Sequence, residues 1–365
     1  MSEFIGSLFS EEHIAKTPST DWKWSFKDYP TEKNGIQVFS CFSCGGGSTM
    51  GYKLAGCDVI GCCEIDPKMF EVYKRNHHPR FGYNLDIRDF NALDDLPPEL
   101  YDLDILDGSP PCTPFSMSGD REESWGVAKK FKEGQKEQTL DDLFFVFIET
   151  VRKLKPRLVI AENVEGLMKG NALDYCHRIH REFKREGYIC RDYLLKGETM
   201  GIPQQRHRMF FIAVRDDVSF DYENLNLTFD YEEIPFKTIK AGKGRVCLPE
   251  SEAYKTLSVA IPYERKFEDT YKRIGDSRKC FNHKMIWEDL VCLTISTRRT
   301  LYRVREKQYL SDEDIIHAST FPEDYNFGKQ DVCYVCGMSV PPVMIKRIVT
   351  RLIEAGFRAK ERDSR

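Results

Sequence analysis

"IQVFSCFSCGGGSTMGYKLAGCDVIGCCEID", residues 36–66, sets two short apolar runs on either side of a glycine-rich turn and a helical stretch. The first run, "IQVFSCF", and the second, "DVIGCCEID", have strand length and strand composition. Between them "STMGYKLAG" carries the spacing of a helix that follows directly from the glycines. The same alternation continues through the strands "DILDGS", "RLVIAEN" and "MFFIAVR", separated by helical stretches such as "PKMFEVYKRNH" and "LDDLFFVFIETVRKL". Strand–helix alternation of this kind predicts a largely parallel sheet with helices on both faces. Ligands of such sheets bind outside the carboxyl ends of the strands, so the polar residues that end each run are the ones to weigh.

Bulk properties set the frame for those residues. The chain has 365 residues, 41% hydrophobic and 31% charged, with thirteen cysteines and a net charge of −4. No uninterrupted apolar run is long enough for a membrane span, and "MSEFIGSLFSEEHIAK" lacks the basic-then-apolar order of a secretion signal. A cytoplasmic protein with reduced thiols is the expectation, with no membrane partner. The charge is uneven. Residues 240–307 hold sixteen Lys/Arg against nine Asp/Glu, so a basic segment rides on an acidic body. That asymmetry suits a local surface for a polyanion, and equally a solvated lysine-rich linker.

The pattern divides the chain. Residues 1–35 read as a polar N-terminal arm with Trp22 and Trp24 close together. Residues 36–216 and 308–365 carry the strands and helices of the main domain, and 217–307 form a smaller, irregular, turn-rich domain. Pro341 and Pro342 suit the first turn of the last helix.

Three strand ends fit a nucleotide-like cofactor. Glycines 45–47 let a backbone approach a ligand, and the helix that follows presents free N–H groups. Glu64, with Asp66 close by, ends the second strand, where a carboxylate accepts hydrogen bonds from ribose hydroxyls. Asp86 ends the third, placed to accept from an adenine amino group with Ile87 against the ring. A dinucleotide would satisfy the same three groups, so they leave the chemistry open.

Three later motifs carry chemistry. "DGSPPCTPFS" (107–116) exposes Cys112 on a rigid loop after a strand, where a thiol of lowered pKa is a nucleophile. "AENVEGL" (161–167) ends a buried strand with Glu162, a carboxyl able to hydrogen-bond a heteroaromatic ring nitrogen. "GIPQQRHRMFFIAV" (201–214) puts Arg206 and Arg208 just before another strand, where i and i+2 share a face and two guanidiniums can clamp a carbonyl or phosphate.

Together "PPCTPFS", "ENV" and "QQRHR", in this order after the glycine loop, resemble the cytosine-5 DNA methyltransferase family. The resemblance spans about 36–216 and 308–350. It implies a Rossmann-like S-adenosylmethionine (AdoMet) fold, with a mixed, mostly parallel sheet and a small target-recognition domain at 217–307. It further implies that Phe42, Ser43, Cys44, Gly45, Gly46, Gly47, Glu64, Ile65, Asp86 and Ile87 line AdoMet, with Pro111, Leu143, Met338, Ser339 and Val340 completing the pocket. Cys112, Glu162, Arg206 and Arg208 would surround a cytosine flipped out of double-stranded DNA, with Cys112 bonding C6. Ser116, Arg298, Arg299 and Arg303 would touch DNA, and 117–138 would be a catalytic loop. A monomer is the expected state, with a cognate restriction endonuclease as a partner of the same system. An RNA cytosine-5 methyltransferase, a non-catalytic DNA-binding relative and a dinucleotide oxidoreductase are the rival readings. The ninety-residue basic segment favours duplex DNA, the intact Cys112–Glu162–arginine set favours chemistry, and "PPC" with "ENV" disfavours the oxidoreductase.

Three features depart from the family pattern. Cys44 stands where a glycine is usual, Ser40-Cys41 replaces the usual acid, and "GMSVPP" puts Met338 in place of Asn, which raises an altered fit at the methionine end of AdoMet. Cys41/Cys44 and Cys333/Cys336 have the C-x-x-C spacing of a zinc site, but both pairs lie in cofactor motifs, so no metal is expected.

Overall fold

The computed structural model describes residues 17–111, 143–168, 172–280 and 282–362; Cys112, Ser116 and 117–138 lie outside them. Its centre is a seven-stranded sheet built from β1 (Gln37–Cys41), β2 (Asp58–Cys63), β3 (Phe81–Tyr83), β4 (Ile105–Gly108), β5 (Leu158–Val164), β6 (Tyr188–Lys196) and β8 (His207–Arg215). The order is β3-β2-β1-β4-β5-β8-β6. Pairings from β3 through β5 are parallel, and β8 runs antiparallel to both neighbours. The two-residue β7 (Gln204–Gln205) lies outside this sheet. The expected architecture, parallel in the main with helices on both faces, is the one found.

Side chains alternate across the sheet because strand period is two. Phe39, Leu106, Val159 and Phe211 pack with helices α3 (Ile87–Asn91), α4 (Leu143–Leu154) and α5 (Ala172–Arg185). Val38, Ile105, Ile160 and Ile212 pack on the other face, under α1 (Gly47–Leu54) and α11 (Pro342–Glu354). Local chemistry starts the helices. Asp66 caps α2 (Pro67–His77) by accepting from Lys68 N at 2.8 Å, and Asp86 caps α3 by accepting from Arg88 N at 2.8 Å. Pro342 opens α11 at the position where a missing N–H costs nothing.

A smaller core lies apart from the sheet. Cys247, Leu257, Phe267, Tyr271, Met285, Tyr302 and Val304 form it, on helices α7 (Glu252–Val259) and α8 (Phe267–Arg273) and strands β9 (Lys284–Ile286), β11 (Leu301–Arg303) and β12 (Gln308–Tyr309). Helix α6 (Phe236–Ile239) and α9 (Asp312–Ala318) flank it, and β10 (Cys292–Leu293) pairs with β7. Residues just past 216 behave differently from expectation: Tyr222, Leu225, Leu227 and Phe229 pack into the large core with Ile212 and Val214. Their apolar spacing is too sparse to read as an element, and burial against the sheet supplies what local pattern does not. In the arm, Trp24 is buried and donates its indole N–H to Thr320 O at 2.8 Å, while Thr17 bridges Tyr231.

By length and composition one described stretch, Val332–Glu354, is apolar enough to cross a membrane; it is 72% buried inside the protein. It breaks into α10 (Val332–Met338) and α11, which explains its composition as that of core helices.

Candidate active site at the strand carboxyl ends

The loop leaving β1 turns sharply into α1, with Phe42, Cys44 and Gly46 at φ of 54°, 45° and 85°. Two of these are left-handed without being glycine, which stores local strain. Glu64 holds the loop: Oε2 accepts from Cys44 N at 2.7 Å and Oε1 from Asp66 N at 2.8 Å. Burial pushes the Glu64 carboxyl up to about 7, against the two amides that favour the ionised form. Its neighbour Asn84 donates to Glu64 O at 2.7 Å and Ile65 O at 3.2 Å.

The glycines are also hemmed in on the side where a side chain would stand. A Cβ on Gly45 would meet Val335 at 2.7 Å and Tyr325 at 2.8 Å, one on Gly46 the His77 ring, and one on Gly47 Val340 O. The space they leave is filled by protein, so these glycines serve close packing of the loop against α2, α10 and the start of α11. Ser43 is buried and Phe42 and Ile65 half-buried. Ile87 is buried, and the half-buried Asp86 carboxylate is engaged with Arg88. Leu143 is in the large core, Pro111 is exposed, and Met338 is 51% exposed. Ser339 and Val340 are buried beside Gly47.

One face of the sheet gathers the remaining polar groups. Antiparallel pairing lays the start of β8 beside the end of β5, with Val164 opposite Arg208 and Glu162 opposite Phe210. A motif at a strand's beginning thereby meets a motif at another's end. Arg208 Nε lies 2.7 Å from Glu162 Oε1, both side chains being mostly buried. Asn163, buried on the other face, donates to Pro110 O at 3.2 Å and accepts from Val164 N at 2.8 Å. It anchors the chain two residues before Cys112. Asp107 is fully buried on the Glu162 face, accepting from Ser40 Oγ at 2.6 Å and Tyr52 Oη at 3.1 Å. Burial pushes its carboxyl up to about 7, with Glu162 adding in the same direction. Asn163 and Asp107 both stand at strand ends within the motifs, but their roles are not written in the sequence, since both depend on pairing between strands.

Arg206 departs from the expected clamp. Strand β7 ends at 205 and β8 begins at 207, so Arg206 and Arg208 do not share one strand face. Arg206 is buried and donates to Ile295 O at 3.1 Å, Gly337 O at 3.1 Å and Ser339 O at 2.8 Å. It ties the segment after β10 to the end of α10. Burial lowers its guanidinium to about 9. Between the arginines, His207 donates through Nε2 to Glu198 at 2.7 Å and has Nδ1 3.3 Å from Glu165, and the first of these carboxylates raises its pKa most.

Of the expected DNA contacts, Arg298 is exposed. Arg299 is paired with Asp312 at 2.6 Å and Asp331 at 2.9 Å. Arg303, expected at the DNA surface, is instead buried: it is 3% exposed, bonded through Nε to Asp314 at 2.7 Å and through its other nitrogens to the Ala241 and Gly242 carbonyls. Its charge is spent inside the fold. Among the described residues no group of three His, Cys, Asp or Glu is placed to hold a metal ion. Every described cysteine is a free thiol; burial pushes Cys44 and Cys333 up to about 12, and Cys41 and Cys336 well above their ordinary value.

With this geometry in place, comparisons place the chain among known proteins. A family model described as C-5 cytosine-specific DNA methylase matches residues 36–354. The chain is similar to the Type II methyltransferase M.NgoPII of Neisseria gonorrhoeae, 25% identical over 71% of each chain. It is also similar to M.Sau96I of Staphylococcus aureus, 31% identical over 80% of this chain and 69% of that one. It spans about half the length of several further curated relatives. The fold is shared with a solved structure of a Spodoptera frugiperda DNMT2 variant, at TM-score 0.61 and 16% identity, over 87% of this chain and 99% of that one.

Proposed function

Since the chain belongs to the C-5 cytosine-specific DNA methylase family, we propose that it methylates C5 of a cytosine flipped out of double-stranded DNA, through a covalent bond from Cys112 to C6. The observation that carries this reading is the Glu162–Arg208 pair at the end of β5, with Asn163 holding Pro110 just before the Pro111-Cys112 step.

The donors at the ends of β1, β2 and β3 fit AdoMet. Glu64 spends one bond of each oxygen on a loop amide, and a carboxylate oxygen can accept a second, here from a ribose hydroxyl. Asp86 and the buried Ile87 offer an acceptor and an apolar wall for adenine. AdoMet, when bound, supplies an electrophilic methyl group on a sulfonium.

The protein's own residues make C5 reactive. The ring is a poor nucleophile while aromatic; addition of the Cys112 thiolate to C6 breaks that aromaticity and makes C5 enamine-like. Glu162, oriented by Arg208 and carrying a proton, donates it to N3 and so neutralises the negative charge that addition at C6 develops there. Once C5 carries the methyl, loss of its proton and of the thiol restores the ring. The basic module around 240–307 supplies duplex recognition, and a monomer suffices. Relatives named as Type II enzymes extend the reading to a cognate endonuclease.

Labelled AdoMet with duplex DNA, and separately with RNA, tests this. Transfer to DNA, abolished in Cys112→Ala and trapped as a covalent complex on 5-fluorocytosine duplex, is expected. Transfer to RNA alone, or undiminished transfer by Cys112→Ala, overturns it.

A further inference from the structure

A lysine on the small module is held close to the entry of β8, beside the segment that carries Arg206. Lys284 opens β9, and its ammonium donates to Thr294 O at 3.3 Å. Thr294 in turn donates its hydroxyl to Gln205 O, beside Arg206. This chain of contacts, reinforced by the β10–β7 pairing, fixes Lys284 against the entry to β8. Opposite Lys284, bridged backbone to backbone, stands Lys266.

The charges make this arrangement unusual. Burial holds Lys284 below its ordinary pKa, and Lys266, Arg206 and Arg208 all push it the same way, with the Cys292 thiol opposing them. Like charges placed opposite each other across paired strands destabilise a fold, and a cation drawn out of water needs an anion to offset its desolvation. Arg208 uses Glu162, and Arg206 uses three carbonyls. The described residues give Lys284 a carbonyl and no ion pair.

We infer that Lys284 holds a backbone phosphate next to the flipped nucleotide, the small module in this way clamping the sugar–phosphate chain while Glu162 and Arg208 hold the base. The inference rests on the proposed action on duplex DNA. A phosphodiester is the anion that the site would meet there, and it brings acceptor oxygens of its own to a half-buried ammonium. A lysine that only braced Thr294 would need no charge.

That difference is what the experiment reads. The full chain and its Lys284→Gln and Lys284→Arg variants are titrated with a duplex that the wild type methylates, across 50–200 mM salt. Loss of one phosphate contact lowers the slope of log affinity against log salt by about 0.9 and weakens binding about five- to tenfold at the lower salt. Lys284→Gln should show both, Lys284→Arg should restore the slope, and 2-aminopurine at the target position should flip less in Lys284→Gln. An unchanged slope in Lys284→Gln, with wild-type methylation intact, overturns the inference. Failure of the wild type to methylate any duplex overturns instead the function on which it rests.

Discussion

Asp107 is sealed at the end of β4 under Ser40 and Tyr52, and its cross-strand partner in the register is Ser40 itself. Its carboxyl sits at about 7 and that of Glu64 likewise, against ordinary values of 3.8 and 4.5. A raised carboxyl is a proton bound more tightly in the fold than in the unfolded chain. The stability it contributes is complete below about pH 4 and is lost as pH rises to about 7. Asp107→Asn keeps the shape and removes the titration, so its unfolding free energy should fall less between pH 5 and 8 than that of the wild type. By pH 8 the variant should be the more stable, by up to about 4 kcal/mol. Urea unfolding across that range checks it, and parallel curves for the two proteins would refute it. Glu162 was legible because a carboxyl ending a buried strand is conspicuous in one dimension. Asp107 was not, because its partners lie 67 and 55 residues away.

Helix α1 lies against α11 so closely that Gly51 has no room for a side chain: a Cβ there would strike Pro342 O and the Ile345 side chain. In an ordinary helix, replacing an interior glycine by alanine gains stability, by about 0.5–1 kcal/mol. Here the sign reverses. Gly51→Ala should destabilise by about 1–3 kcal/mol through overpacking, seen as a fall in melting temperature. Because α11 follows directly on Ser339 and Val340, which touch Gly47, the same variant should weaken AdoMet binding by calorimetry. Element types were legible from period and composition. A second constraint on the glycines was not: a run of three reads as room for a ligand, and only the neighbouring helices show that a side chain there would also strike protein.

Arg206 joins three parts of the molecule through single hydrogen bonds to Ile295, Gly337 and Ser339. Arg206→Met fills the space but leaves three buried carbonyls without donors, so it should cost about 3–5 kcal/mol in thermal unfolding. Docking of the small module should loosen with it, seen as faster protease cleavage between 280 and 300; unaltered melting would refute this role. Sequence alone determined the strand order's raw material, the caps at Asp66 and Asp86, and the motif set that names the family. Those are local signals, written in period, turn chemistry and residue type at fixed spacing. Tertiary structure alone decided which arginines face the site, where the small core begins and which acids share a face. Arg206, Arg208, Arg299 and Arg303 look alike along the chain. What separates them is partner supply: carbonyls and carboxylates from distant segments absorb three of the charges within the fold, while antiparallel pairing of β8 with β5 turns the fourth onto Glu162.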